Sequence, residues 1–129
     1  MKLIDEQKNA KVFVKKWLNK GNEKQDTSKF WIDLLTLVFG VKNATNYLDF
    51  EKPVTIIGED NKSCQKYIDV YIPNTKVLIE QKGQNISLSK KETQSDGAKL
   101  TPFEQGLRYN QNLAHNENAR WIIACNFQT

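Results

Sequence analysis

The chain has 129 residues, 39% of them hydrophobic and 26% charged, which suits one domain with one core and excludes a disordered chain. Nineteen Lys and Arg against fifteen Asp and Glu leave a net charge of +4, an excess that leans only weakly toward a polyanionic partner such as nucleic acid. Met1 to Ala10 carries no apolar signal core, the longest apolar patch is broken by Asp33 and Thr36, and Cys64 and Cys125 lack metal-ligand spacing, so secretion, membrane insertion and a zinc site are excluded and a cytoplasmic protein with reduced thiols is expected.

In chain order, Ala10, Phe13, Val14, Trp17 and Leu18 recur at helical spacing before Gly21, predicting a first helix over about residues 5–19. Ser28 is the expected cap of a second helix that ends at Gly40 and is apolar on nearly every side, the mark of a buried helix. Beyond Pro53, strands are expected at Val54–Ile57, Tyr67–Ile72 and Lys76–Lys82, each β-branched or alternating. The polar stretch Gln84–Lys99 reads as a mobile loop, with Lys90, Lys91 and Lys99 as solvated residues. Thr101-Pro102-Phe103-Glu104 combines an N-cap, a first-turn proline and a capping-box glutamate. The helix it starts is expected to reach about Ala114, with Phe103, Gly106, Leu107 and Leu113 facing the core. Trp121–Cys125 closes the order α-α-β-β-β-α-β as a buried strand. The predicted fold class is α/β, an α+β sandwich in which helices flank a mixed sheet of four to five strands.

Chemistry concentrates between Tyr67 and Lys82. Pro73, Asn74 and Thr75 are turn formers, so the two strands make a hairpin. Setting Ile72 opposite Val77 and Val70 opposite Ile79 gives one apolar face and brings Asp69 opposite Glu80. A one-residue slip would mix charge into the core. Two carboxylates about 5 Å apart across a sheet repel each other unless one protonates or a cation intervenes. Lys82 shares the face of Glu80 and relieves part of that repulsion. A divalent cation would relieve more, and an oxygen-only set suits Mg²⁺. The same three residues also fit a solvated, salt-bridged surface. Gly83, directly after Lys82, permits a close approach by backbone or phosphate.

Asp69, ten intervening residues, and Glu80-Gln81-Lys82 resemble the D-x(n)-(D/E)xK signature of the PD-(D/E)xK nuclease superfamily, with Ile68 in place of the proline that names it. Gln105-Gly106-Leu107-Arg108-Tyr109 is similar to the QxxxY motif of RecB-like members. Phe30-Trp31-Ile32-Asp33, Val38-Phe39-Gly40, the hairpin, and Trp121 through Phe127 resemble the N-terminal nuclease domain of MmeI-like fused restriction-modification enzymes. The resemblance implies a restriction-endonuclease-like core over residues 1–129. It implies a type II site-specific deoxyribonuclease that acts on double-stranded DNA in a prokaryotic cytoplasm, near the nucleoid, with a homo-oligomer open where both strands are cut. Catalysis would rest on Asp69, Glu80 and Lys82. The metal would be Mg²⁺, with Mn²⁺ substituting, held by Asp69, Glu80 and the Gln81 backbone carbonyl. Methyltransferase and target recognition motifs are absent from these residues, so a piece of a longer chain is expected. S-adenosylmethionine would belong only to that missing part.

Three further residues are open to two roles each. Asp33 is the one charge in an apolar helix and is either a further ligand or half of an internal ion pair. Gln105 and Tyr109, one turn apart, either serve the site and the DNA backbone or tie helix to sheet. Glu51, along with Glu59 and Asp60, is expected in solvent. A stand-alone RecB-like or resolvase-like repair nuclease, and a non-catalytic DNA-binding domain of the same fold, remain as alternative functions.

Overall fold

The computed structural model describes residues 3–129. Helix α1 spans Leu3–Trp17 and α2 spans Glu23–Asp33, continuing into a π-helical turn at Leu34–Val38. Strands follow at β1 (Asp49–Ile57), β2 (Ser63–Ile72) and β3 (Val77–Gln81), then a two-residue pair, β4 (Glu92–Thr93) and β5 (Lys99–Leu100). Helix α3 (Pro102–Gln111) and strand β6 (Trp121–Cys125) complete the chain. The main sheet has the order β1-β2-β3-β6, antiparallel except for β6, which lies parallel to β3. A parallel pair needs a long crossover, and α3 supplies it. The α+β sandwich expected from the sequence is the fold observed. Among the described residues no helix is long and apolar enough to cross a membrane.

The sheet has a core on each side. Phe13 and Trp17 of α1, Phe30 and Trp31 of α2, and Val38 pack on Val70, Ile79 and Cys125. On the opposite side Tyr109 of α3 packs with Val54, Ile56, Ile68, Tyr71 and Leu78. Val70 and Ile79 on one side, Ile68 and Leu78 on the other, are wholly buried. Removing any of them would lose transfer energy and leave a cavity.

The hairpin register is the one the patterning favours: Ile72 pairs with Val77, Tyr71 with Leu78 and Val70 with Ile79. Strand β1 begins at Asp49, earlier than the expected start after Pro53. The proline is tolerated because β1 is an edge strand, where a missing N–H need not break the sheet. The β2 face alternation does not continue unbroken. Ile68 joins the α3-side core while Val70 joins the other, so the strand exchanges faces at Asp69. The β1–β2 ladder omits the Glu51–Asp69 pair there, and Glu51 has φ 53°.

In α1 only Phe13 and Trp17 are buried, whereas Val14 is exposed, because the helix packs on a single surface and buries a narrow stripe. Three expectations need correction. Strand β6 forms where expected but lies at the edge of the sheet, with Trp121 and Ile123 exposed instead of buried. In α3 the capping box forms as expected, but Pro102, Gly106 and Tyr109 are buried, while Phe103 and Leu107 are exposed. The stretch 84–99 is tied down: Asp96 accepts from the Glu59 backbone N–H at 2.8 Å and pairs with Arg108, and Asn126 donates to the Ile86 carbonyl at 2.8 Å. Cys64 is exposed, Cys125 is buried, and both are free thiols.

Candidate active site

The site lies where β2 and β3 part. Their ladder stops at Val70–Ile79. One step further on, the Gln81 N–H donates to Asp69 Oδ2 at 2.8 Å, so a side chain takes the place of a strand carbonyl. The Asp69 carboxylate is thereby fixed on the edge of β3, directly beside Glu80. Lys82 lies beyond, with Nζ 3.6 Å from Glu80 Oε1 and 3.4 Å from Gln105 Oε1. Gln105 in turn donates through Nε2 to the Tyr109 hydroxyl at 2.9 Å. Asp69, Glu80, Lys82, Gln105 and Tyr109 therefore form one connected polar group between β3 and α3.

Gly106 makes that closeness possible. A Cβ there would stand 3.1 Å from Ile122 Cγ2 and 3.3 Å from Leu78 Cδ2, with the Cβ of Glu80 at 3.7 Å. A larger residue would push α3, and Gln105 with it, away from the strand. Gly83 carries no such requirement, since an added Cβ would meet its nearest atom at 3.7 Å, an ordinary contact.

The electrostatics are unfavourable to two negative charges. Glu80 is only 3% exposed, and its Oε2 is buried with no hydrogen-bond partner. Burial, and then the neighbouring Asp69, push its carboxyl up to about 9, against a smaller pull from Lys82. Asp69 rises to about 6, again through burial, with the Gln81 N–H opposing. Burial also raises the Tyr109 hydroxyl, and the Gln105 hydrogen bond partly offsets it. Beside Asp69 a cleft of about 540 Å³ opens between Glu23, Lys24, Thr27 and Ser28 on one wall and Phe50 and Glu51 on the other.

A family model described as "MmeI, N-terminal domain" matches residues 8–129. The chain belongs to this family. Neither a curated protein nor a solved structure matches it. Membership gives the MmeI-type domain the setting of a restriction-modification enzyme.

Within this MmeI-type domain, the sequence-predicted residues fall in two places. Asp69, Glu80, Gln81, Lys82, Gln105 and Tyr109 converge. Asp33 does not: its Oδ2 takes Lys16 Nζ at 2.6 Å and the Trp17 indole N–H at 3.2 Å, an ion pair that ties α1 to α2 with Lys16 half-exposed. The acid that approaches the site from a helix is Glu23, whose charge raises both Asp69 and Glu80. It stands at the first turn of α2, ten residues or roughly 15 Å of helix from Asp33. Sequence reading missed it by starting the helix at Ser28. The available signal was Asn22, whose side chain caps the Gln25 N–H, while Asp26 returns to the Asn22 N–H. Glu51 is exposed, as expected, and lines the open cleft with Asp69. Among the described residues no three His, Cys, Asp or Glu side chains gather into a metal-binding group.

Proposed function

We propose that this domain is the DNA-cleaving module of an MmeI-like restriction-modification enzyme, a Mg²⁺-dependent endonuclease of the PD-(D/E)xK type. The observation that carries the reading is Glu80 Oε2, a buried carboxylate oxygen without a partner beside a second carboxylate. Such a pair is costly in a protein interior unless one carboxyl stays protonated or a cation completes it, and only the cation lets both ionise.

The donor set fits a hard cation. Asp69 and Glu80 supply two carboxylates, and Gln81 supplies a carbonyl. Lys82 N–H donates to the Cys125 carbonyl at 2.7 Å, on the β6 side. Because a trans peptide points its C=O opposite its N–H, the Gln81 carbonyl is directed to the β2 side, where Asp69 lies. Two carboxylates with a carbonyl leave several positions for water and phosphate, as Mg²⁺ prefers, and fewer than three clustered acids are then needed. Mn²⁺ has the same oxygen preference and is expected to substitute. When bound, the ion supplies Lewis acidity to the phosphate and lowers the pKa of water.

The residues of the chain do the rest. Lys82, held between Glu80 and Gln105, orients the attacking water and offsets charge that develops on the phosphate. Gln105, itself fixed by Tyr109, sets the direction of the Lys82 ammonium. Water oxygen bonds to phosphorus as the bond to the 3′ oxygen breaks, leaving 5′-phosphate and 3′-hydroxyl ends. Glu23 and Glu51 face the same cleft, where their charge favours a cation over a bare phosphate.

Titration calorimetry with Mg²⁺ or Mn²⁺ on wild type and Asp69→Ala tests the metal site. Saturable heat is expected from wild type alone, and equal heats from both would refute the reading. Lys82→Ala is expected to bind the ion normally and to leave supercoiled plasmid uncut. Cleavage at the wild-type rate would remove Lys82 from the mechanism.

A further inference from the structure

We propose that Trp31 is a positioning residue for the Asp69–Glu80 site, acting through the Gln81 side chain from the opposite face of the sheet. The inference rests on the metal-site reading above and adds a residue that touches neither the carboxylates nor the cleft.

Gln81 is wholly buried, among the apolar residues that line the α1–α2 side of the sheet. An amide there is tolerated only when its polar atoms are matched. Its Oε1 accepts from the Trp31 indole N–H at 2.8 Å, and its Nε2 donates to the Lys82 carbonyl at 3.0 Å. These two bonds run from α2 to the backbone of β3 at the residues that carry the chemistry. On the main chain the Gln81 N–H holds Asp69 Oδ2, and the Lys82 N–H holds the Cys125 carbonyl. The peptide groups on both sides of Gln81 are therefore each fixed by a hydrogen bond, and the side chain fixes the next carbonyl along.

Trp31 is itself immobilised. It is 7% exposed and packs edge-to-face on Phe30 with ring centroids 5.3 Å apart. It lies on the helix that presents Glu23 to the cleft, eight residues or roughly 12 Å along the axis. The indole N–H thus locks the helix bearing Glu23 to the strand bearing Glu80. A phenylalanine would fill most of the same apolar space but could not make this bond.

The test compares Trp31→Phe with Val38→Ala, a truncation in the same core cluster that leaves the Trp31–Gln81 bond intact. Two readouts are taken: Mg²⁺ affinity by calorimetry, and hydrogen exchange of the Gln81 amide relative to the Ile79 amide in metal-free protein. Removing an outer partner of a metal ligand costs about 10–100-fold in affinity. Trp31→Phe is expected to show that loss and to speed Gln81 exchange at least tenfold relative to Ile79. Val38→Ala is expected to lower stability while leaving the affinity and the exchange ratio unchanged. Retention of both by Trp31→Phe, or equal effects from Val38→Ala, would overturn the proposal. If wild type binds no Mg²⁺, the metal reading fails, and the exchange ratio still decides whether Trp31 holds the strand. Should Trp31→Phe not fold, Gln81→Met removes that bond together with the one to the Lys82 carbonyl at similar volume, and is expected to give the same two losses.

Discussion

Binding of Mg²⁺ should expel a proton, and the number can be worked from the site. With the two carboxyls pushed up to about 9 and about 6, chiefly by burial, the pair holds about one proton at pH 7, mainly on Glu80. An ion that requires both carboxylates therefore displaces about one proton. Affinity should then rise about tenfold per pH unit from 7 to roughly 8.5, or about 1.4 kcal/mol per unit, and level off above 9. Below 6 a second proton is displaced and the dependence steepens. Calorimetry in PIPES and in Tris, whose ionisation heats differ, measures the count directly. Equal heats in the two buffers, or an affinity flat between pH 7 and 9, would refute both the pairing of these carboxyls and their role as ligands.

The same linkage has a sign for stability. In the unfolded chain the Glu80 carboxyl titrates near 4.5, and in the folded metal-free domain near 9. The folded state holds the extra proton between those values, so the contribution of Glu80 is full below about 4.5 and is lost as pH rises through about 9. Mg²⁺ should reverse that loss at the alkaline end.

Glu80→Gln removes the group that resists ionisation; at pH 8 the metal-free variant should be more stable than wild type by on the order of 2 kcal/mol or more, read as a higher melting temperature, with Mg²⁺ binding abolished. Asp33→Ala leaves the Trp17 indole N–H without its partner and should cost about 1–2 kcal/mol in denaturant melts, while Mg²⁺ affinity stays at the wild-type value. Leu78→Ala, at a fully buried position behind the site, should cost about 2–5 kcal/mol in the same assay. Arg108→Ala releases Asp96 from the partner that, first among several bonds, holds its carboxyl low; amide exchange across residues 94–99 should speed while the sheet keeps its protection.

Much of this was legible because one register alone kept the hairpin's apolar face intact. Pairing Val70 with Ile79 was enough to set Asp69 beside Glu80, and the Thr101–Glu104 capping box was readable as a local motif. What escaped reading depended on tertiary context. Periodicity in α3 marked a helix but not how wide a stripe it would bury, and so Phe103 and Leu107 were assigned to the core. The first turns of α2, Glu23 to Ser28, contain no apolar residue, so a hydrophobic pattern had nothing to register, and Glu23 went unnoticed. Asp33 was conspicuous for the opposite reason, as a lone charge among apolar neighbours. Its partner Lys16 lies on another helix, where no local pattern points. The exchange of faces at Asp69 needed the Glu51 backbone at φ 53°, a conformation that a glutamate does not announce.

That exchange explains why a costly pair of acids can persist here. A continuous ladder would bury Asp69 and Glu80 flat against each other and give the Gln81 N–H a carbonyl on β2. Instead the strands part after Val70–Ile79, and the Asp69 carboxylate takes that N–H. The break is tolerable because wholly buried apolar residues lie on both sides of it, Val70 and Ile79 under α1 and α2, Ile68 and Leu78 under α3. Each core holds its own part of the hairpin, so neither depends on the missing rung. A polar seam between two dry cores also keeps the dielectric low around Glu80, which strengthens every charge interaction made there. The arrangement that raises the cost of the bare carboxylates would therefore also strengthen their hold on a cation.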